Sequence, residues 1–312
     1  MNIVPSNNNK LIGYKELFLN LVNLYDKNSL PSKIIFNGNS GIGKSTFAYH
    51  LINYIFSKNE DDGYDIDKNL ILDNNHSFKL VSKNSHPNFF LVSNDDGKKN
   101  IQISKIRELI NFTNKSSFDN NSKIILIDNV ELLNVNSINA LLKVIEEPND
   151  KIFFFLVHNS RIKILDTLTS RCIKFNFYLN DEKDKFKIIN KLTNSNFYSE
   201  LNNDFKNSYN SPGTLIFLFN FFQNNNLDLN ITIDELIKFI IHKKLYNKDF
   251  FIKDNLPFFI ELFFNKKLRY FKSKDKIYDL YKYFLSKINQ CNKYNLDMDS
   301  VLIELSGKLL NE

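Results

Sequence analysis

Short apolar runs alternate with longer segments of helical periodicity over the first half of the chain. The runs with the length of strands are Lys33–Asn37, Asn88–Val92, Lys123–Asp128, Lys151–Val157 and Cys172–Phe177. Continuous apolar runs separated by helical segments are typical of a parallel sheet whose two faces are both covered by helices. We therefore predict an α/β domain with about five strands.

The helices between these strands follow from the spacing of their apolar positions. We predict them at Lys44–Ser57, Gln102–Asn114 and Ser137–Glu147, the last ending before Pro148. Residues Asn59–Lys83 are polar and acidic at first, without a clear period. This stretch is predicted to be an irregular surface segment.

The pattern changes after Asn180, where the strand signals cease. The remainder is predicted to be helical, with breaks near residues 194, 210–213, 224–226 and 247–249. We predict an α/β domain over residues 1–178, a small helical domain over 179–226 and a helical C-terminal domain over 227–312.

Composition places the chain among soluble globular proteins. It has 312 residues, of which 43% are hydrophobic and 24% charged, so it can hold two or three domains with a sizeable core. Its formal net charge of +6 is compatible with a nucleic-acid partner but does not require one.

The cysteines and the N-terminus bear on the compartment. Cys172 and Cys291 are far apart and have no zinc-ligand spacing, which favours a reducing cytoplasm. Residues Met1–Lys10 are polar and lack the apolar core of a signal peptide, and runs such as Ile152–Val157 are too short to cross a bilayer. We expect a cytoplasmic protein without a membrane partner.

The strongest chemical signal is a glycine-rich loop between the first strand and the first long helix. Residues 38–45 read GNSGIGKS, a full match to G-x4-G-K-[ST]. Glycines let the backbone turn sharply and direct successive N–H groups at phosphate oxygens. The predicted nucleotide-binding residues are Gly38, Asn39, Ser40, Gly41, Ile42, Gly43, Lys44, Ser45 and Thr46. Lys44 is expected to reach the β- and γ-phosphates.

A magnesium site is predicted from Ser45 and Asp128. Asp128 ends a hydrophobic strand, as a carboxylate that orders a Mg²⁺ shell should. The next residue is Asn129, whose amide cannot accept a proton from an attacking water. Glu131 lies two positions further on and is expected to point elsewhere. These residues favour a site that binds ATP or ADP with Mg²⁺ and hydrolyses it poorly.

Further motifs resemble a known family. Residues 139–148 read NALLKVIEEP and residues 169–172 read TSRC. Together they resemble the delta-prime and tau/gamma families of bacterial clamp-loader subunits, which are AAA+ proteins. LIGY at 11–14 resembles the amino-terminal signature of these families with Tyr in place of His, and HPN at 86–88 resembles their His-Pro-Asp segment. The resemblance spans about Leu11 to Phe177.

The resemblance implies both a fold and a function. The fold is a RecA-like AAA+ P-loop domain, followed by a helical lid and an all-helical collar domain. The function is to join delta and tau/gamma subunits in the clamp loader of DNA polymerase III, which uses ATP to place the sliding clamp on primed DNA. By the resemblance, Arg171 is an arginine finger that acts in trans on the nucleotide of a neighbouring subunit.

Departures from the motor pattern favour the delta-prime type. Residues Ser57–His86 contain no cysteine, so the four-cysteine zinc module that tau/gamma subunits and some delta-prime subunits carry is absent and no zinc site is expected. Asn129 replaces the catalytic glutamate, and Asn210–Thr214 lacks the arginine of the second sensor. The polar pair His158–Asn159 is kept at the first sensor.

Other functions remain open. The first is a self-sufficient ATPase motor of the tau/gamma type; helicase-loading or recombination AAA+ proteins and P-loop kinases fit the motifs less well. The basic group Lys266, Lys267 and Arg269 could contact DNA, although such runs are more often a solvated helix face.

Overall fold

The computed structural model describes residues 4–94, 100–118, 121–146, 151–179, 181–193, 195–206, 210–270, 274–294 and 296–310. The chain forms two compact units, one made of Met1–Asn194 with Ser211–Phe217 and the other of Ser195–Asn210 with Leu218–Glu312. The three-part division at residues 178 and 226 stays a prediction.

The first unit is built on a five-stranded, wholly parallel sheet in the order β2-β3-β4-β1-β5. Its strands are β1 (Lys33–Gly38), β2 (Phe89–Val92), β3 (Lys123–Ile127), β4 (Ile152–Asn159) and β5 (Ile173–Asn176). Each lies within two residues of a predicted apolar run. The α/β P-loop architecture predicted from the sequence is therefore confirmed.

The helices of the chain follow in the same numbering. They are α1 (Lys15–Asp26), α2 (Lys44–Phe56), α3 (His76–Ser82), α4 (Ile103–Asn114), α5 (Val135–Glu146), α6 (Asp166–Thr169), α7 (Glu182–Thr193), α8 (Phe197–Glu200), α9 (Asn203–Lys206), α10 (Pro212–Asn224), α11 (Ile233–His242), α12 (Leu245–Lys248), α13 (Phe250–Tyr270), α14 (Lys274–Tyr294) and α15 (Met298–Leu305). A 3₁₀ turn lies at Val130–Leu132 and a π-helical turn at Ser306–Leu310.

Alternate residues of the central strands enter separate cores. Ile34 and Phe36 of β1 lie in the core that α1 and α2 share, whereas Ile35 lies in the core shared with α4 and α5. Both faces of β3 are covered, so all of Lys123–Ile127 is buried. A strand buried on both faces must be apolar at nearly every position, which is why the strand predictions succeeded.

The segment predicted to be irregular contains a helix. Helix α3 lies within Asn59–Lys83, so this part of the prediction was wrong. The Asn75 side chain caps the helix by accepting a hydrogen bond from the Phe78 N–H at 2.7 Å. The Glu60 carboxylate accepts hydrogen bonds from the backbone N–H of His76 and of Ser77, both at 3.1 Å. A negative charge at a helix N-terminus is stabilising, and here it comes from residues outside the helix.

Helices are the regular elements among the described residues of the second unit, as predicted. An ion-pair cluster ties its elements together, because Lys266 Nζ of α13 lies 2.9 Å from Asp204 Oδ2 and 2.5 Å from Asp234 Oδ2. Lys266 therefore does not lie on an open, solvated helix face, and DNA contact by the basic group stays a hypothesis. Lys267 Nζ lies 3.6 Å from Asp234 as well. No helix among the described residues is long and apolar enough to cross a membrane.

Candidate nucleotide-binding site

The phosphate loop joins β1 to α2. Gly38 is the last residue of β1, and Gly43 caps α2 with φ of 91°. Gly41 also has a positive φ, of 75°. Such angles are accessible to glycine at little cost, so the loop can wrap around a phosphate group. The first N–H groups of α2 have no partner within the helix and carry its positive dipole end, which favours an anion.

Lys44 lies across this loop. Its Nζ donates to the carbonyl oxygens of Gly38 at 2.8 Å and Asn39 at 2.5 Å, and the residue is 5% exposed. Burial lowers the pKa of Lys44 to about 8, although the carboxylates of Glu131 and Asp128 partly oppose this effect. Among the described residues, the hydrogen-bond partners of the ammonium group are these two carbonyls, which phosphate oxygens can replace.

The two predicted magnesium ligands are brought together. Ser45 Oγ donates to Asp128 Oδ1 at 2.8 Å. Burial raises the pKa of the Asp128 carboxyl, and the Ser45 hydrogen bond lowers it. A hydroxyl and a carboxylate directly beside a phosphate loop are the oxygen donors that Mg²⁺ prefers, so the residues present fit a Mg–nucleotide complex.

Asn129 and Glu131 follow Asp128 in a tight turn. Asn129 has a positive φ of 57° and lines the cavity at the loop. The Glu131 carboxylate accepts the backbone N–H of Asn159, at the end of β4, at 3.1 Å. It also lies near enough to raise the pKa of both Lys44 and Asp128. Glu131 is thus held by the backbone at the end of β4 and is not among the described residues that line the cavity; that its side chain points away from the attacking water stays a prediction.

A cavity of about 300 Å³ extends from the loop. It is lined by residues 40–46, Asp128 and Asn159, and also by the apolar residues Leu11, Ile12, Ile188, Leu192 and Ile216 together with Asn8, Lys10 and Lys191. A cavity lined by both polar and apolar residues suits a phosphorylated ligand with a flat hydrophobic part. Among the apolar residues, the sequence had indicated only Leu11 and Ile12, through the amino-terminal motif. The other three have ordinary helical spacing and carry no distinguishing signal.

A second glycine contact braces the phosphate loop. Gly213 N, in the first turn of α10, donates to Gly41 O at 2.8 Å. A Cβ atom on Gly213 would lie 2.6 Å from Gly41 Cα, closer than real Cβ atoms approach. Gly213, in the segment that lacks the arginine of the second sensor, therefore contacts the loop through its backbone.

Arg171 does not line this cavity. It follows α6, with 38% of its side chain exposed. Its NH2 group lies 2.7 Å from Glu146 Oε1, and its NH1 group donates to Thr167 O at 2.8 Å. Cys172 is half-buried and packs on the core behind it, and burial raises the pKa of its thiol to about 11. Glu147 and Pro148 of the NALLKVIEEP motif lie outside the described residues.

Hydrogen bonds and ring stacking hold the segment between α2 and β2. The Asn75 side chain donates to Asp62 O at 2.8 Å and accepts from Asn53 at 2.9 Å. The His86 ring stacks on Phe56 with ring centres 4.0 Å apart. The described residues contain no group of three or more His, Cys, Asp or Glu side chains placed to bind a metal ion.

Comparison with known proteins agrees with the sequence motifs. A family model described as "DNA polymerase III, delta subunit" matches residues 13–181, more than half of the chain. DNA polymerase III subunit delta' of Buchnera aphidicola (Schizaphis graminum) is 35% identical over 131 residues, and that of Pseudomonas aeruginosa is 30% identical over 96 residues. The chain belongs to the delta-prime family of DNA polymerase III clamp-loader subunits.

The delta-prime match nearly coincides with the span from Leu11 to Phe177 over which the motifs resemble this family. DNA polymerase III subunit gamma of Buchnera aphidicola (Acyrthosiphon pisum) is 27% identical over 188 residues. The alignments cover 42%, 31% and 57% of this chain in these three relatives. The chain spans 39%, 29% and 47% of the length of the same relatives, which is less than half of each.

Solved structures give fainter likenesses. A DNA polymerase III gamma subunit-related protein from Thermotoga maritima covers 92% of this chain and 97% of its own, with a TM-score of 0.47 at 14% identity. The RuvB branch migration motor of the same organism covers 76% and 80%, with a TM-score of 0.43 at 16% identity. Likenesses of this size do not define the fold, which rests on the parallel sheet itself.

Proposed function

We propose that this chain binds ATP or ADP with Mg²⁺ at the phosphate loop, hydrolyses it little, and donates Arg171 to the nucleotide of a neighbouring subunit in the clamp loader. The observation that carries the proposal is that one domain combines nucleotide-binding groups with the lack of a catalytic glutamate and with an arginine outside its own cavity. The groups that bind nucleotide are complete around Lys44, the catalytic glutamate is replaced by Asn129, and the exposed Arg171 lies outside the chain's own cavity.

Binding follows from the loop geometry. The N–H groups at the start of α2 and the ammonium of Lys44 hold the phosphates, while Ser45 and Asp128 hold the metal ion. Bound Mg²⁺ supplies positive charge that neutralises the phosphates. The apolar residues of the cavity take the base. Because the Asn129 amide cannot act as a general base, the attacking water is not activated at that position.

Arg171 has the chemistry of a finger. A guanidinium group is always charged at physiological pH and presents planar N–H donors that match phosphate oxygens. In other phosphoryl-transfer systems such a group accelerates the reaction 10³- to 10⁵-fold. Its exposure supports action on a bound neighbour.

The partners proposed are delta and tau/gamma subunits in a hetero-oligomeric assembly that loads the sliding clamp on primed DNA. Family membership supports this assembly, as do the printed names of relatives, which include gamma and gamma/tau subunits of DNA polymerase III. Within it the chain acts as a scaffold, in the cytoplasm, with no polymerase site of its own.

The test compares ATP turnover by the purified chain alone and by the chain reconstituted with delta and tau/gamma. We expect the lone chain to bind nucleotide with negligible turnover. Arg171→Ala should leave this binding unchanged and slow ATP turnover by the assembly. The overall decrease is smaller than the decrease at the affected site, because the other nucleotide sites do not depend on Arg171. The matched control is Arg107→Ala, an exposed arginine of α4. Equal turnover in the Arg171→Ala and wild-type assemblies would refute the finger.

One observation favours the alternative of a self-sufficient motor. The alternative gives the role of the missing glutamate to Glu131, whose carboxylate raises the pKa of Lys44 and Asp128, although it accepts the Asn159 N–H and is not among the described residues that line the cavity. In that case the lone chain turns ATP over briskly and Glu131→Gln abolishes the activity. Absence of turnover in the wild-type lone chain rejects this alternative.

A further inference from the structure

The side chain of Arg171 is held by two groups from different parts of the chain. Glu146, in the last turn of α5, contacts NH2 at 2.7 Å, and the carbonyl of Thr167, in α6, accepts from NH1 at 2.8 Å. The guanidinium group is planar and rigid, so fixing two of its nitrogens fixes the plane and the direction of the whole group. Of its five N–H donors, these contacts use two.

The negative charge of Glu146 does not stabilise helix α5. The carboxyl end of an α-helix is the negative end of its dipole, so a carboxylate in the last turn is unfavourable there. Glu146 is also 48% exposed, and exposed ion pairs contribute little to folding stability. Neither the helix dipole nor the contribution of the ion pair to stability therefore accounts for a carboxylate at this position.

The contact does, however, restrict a long side chain. A free arginine on the surface samples many rotamers, and it must give up this freedom to meet a phosphate in one orientation. Holding NH1 and NH2 in advance removes part of that entropic loss, as preorganised binding groups do. The donors left over remain available because 38% of the Arg171 side chain is exposed.

We propose that Glu146 is a positioning residue for Arg171, orienting the guanidinium group so that its unused N–H donors face the phosphate of a neighbouring nucleotide. This inference rests on the proposed trans role of Arg171. Glu146 itself touches no substrate; it acts through Arg171 alone.

A double-mutant cycle in the reconstituted clamp loader tests the inference. The variants are Glu146→Ala, Glu146→Gln, Arg171→Ala and the double variant Glu146→Ala with Arg171→Ala. The matched control is Asp166→Ala, which removes an exposed α6 carboxylate that pairs with Lys163 at 3.5 Å. The quantity compared is the Arg171-dependent turnover, defined as the kcat of an assembly minus the kcat of the Arg171→Ala assembly.

We expect Glu146→Ala to lower the Arg171-dependent turnover roughly five- to thirtyfold, the range that the released rotamer freedom of an arginine provides. The KM for ATP should not change. Glu146→Gln keeps an acceptor oxygen and should lose less. In the Arg171→Ala background, Glu146→Ala should have no further effect, and Asp166→Ala should resemble wild type throughout.

The outcomes separate the inference from the proposed function. If Arg171→Ala leaves the turnover unchanged, both fail. If Arg171→Ala slows the assembly but Glu146→Ala does not, only the positioning role fails. A rise in turnover on Glu146→Ala would mean that the contact restrains the finger, and an additive loss in the double variant would mean a purely structural effect. Either result overturns the inference.

Discussion

Nucleotide binding by this chain should take up a proton at alkaline pH because of Lys44. The buried ammonium has a pKa of about 8 in the free chain, instead of 10.5. Phosphate oxygens favour the charged form of lysine, so a bound nucleotide should return this pKa to 10 or above. Above pH 8 the free chain is mostly deprotonated at Lys44, and each binding event must then add a proton.

The magnitude follows from the two pKa values. About half a proton should be taken up per nucleotide at pH 8 and about nine-tenths at pH 9. Affinity should fall by as much as about tenfold per pH unit between 8 and 10.5. The same burial disfavours the folded state by about 3 kcal/mol below pH 8, since the charged form is penalised there, and this penalty is relieved as the pH rises from 8 to 10.5.

Calorimetric titration with Mg–ADP at pH 7, 8 and 9 measures the uptake, when each titration is repeated in buffers of different ionisation enthalpy. The terminal phosphate of the nucleotide is fully ionised above pH 8 and contributes little there. Lys44→Arg keeps a cation that cannot deprotonate and should abolish the uptake. Lys191→Met controls for the other cavity lysine whose pKa burial lowers, and should retain the uptake. Uptake below about 0.3 proton at pH 9, or uptake that persists in Lys44→Arg, would refute the reasoning.

Two further predictions concern the packing around the loop. Phe47 is fully buried among other aromatic rings, so Phe47→Ala should lower the free energy of unfolding, measured in urea, by about 3–5 kcal/mol. The control Phe118→Ala removes an exposed ring and should cost less than about 0.5 kcal/mol. Similar losses for the two variants would contradict the packing. Gly213→Ala should weaken Mg–ADP binding at least about tenfold, because its Cβ would overlap Gly41, whereas Gly307→Ala meets no atom within 4 Å and should not. If Gly213→Ala instead stabilises the chain by about 0.5–1 kcal/mol through helix propensity and binds normally, the loop contact is absent.

The parts of the fold that local sequence determines were predictable. The strands were recognisable because two covered faces require continuous apolar runs, and the phosphate loop because its residues are contiguous. Helix α3 was missed because its cap depends on Glu60, sixteen residues before its first residue, and on Asn75 in a polar stretch. The periodicity of hydrophobic residues does not reveal a helix that is stabilised in this way.

The parts of the site that depend on long-range contacts were not predictable. The direction of the Glu131 side chain is decided by the backbone N–H of Asn159, on another strand. Likewise, Arg171 was recognised by its motif, but its contact with Glu146 depends on how α5 lies next to Arg171 in the folded chain. Motifs identify which residues carry chemistry; the neighbours that orient them come from the tertiary structure.

The glycine pair at the loop has a consequence for how this sequence can vary. In the pattern G-x4-G-K-[ST], Gly41 occupies a position where any residue is accepted. In this fold it is not free, because its φ is 75° and a Cβ there would overlap the Ser211 hydroxyl. A substitution at Gly41 should therefore be as damaging as a substitution at Gly213. A saturation-mutagenesis screen would find a formally unconstrained motif position as intolerant as the lysine three residues later.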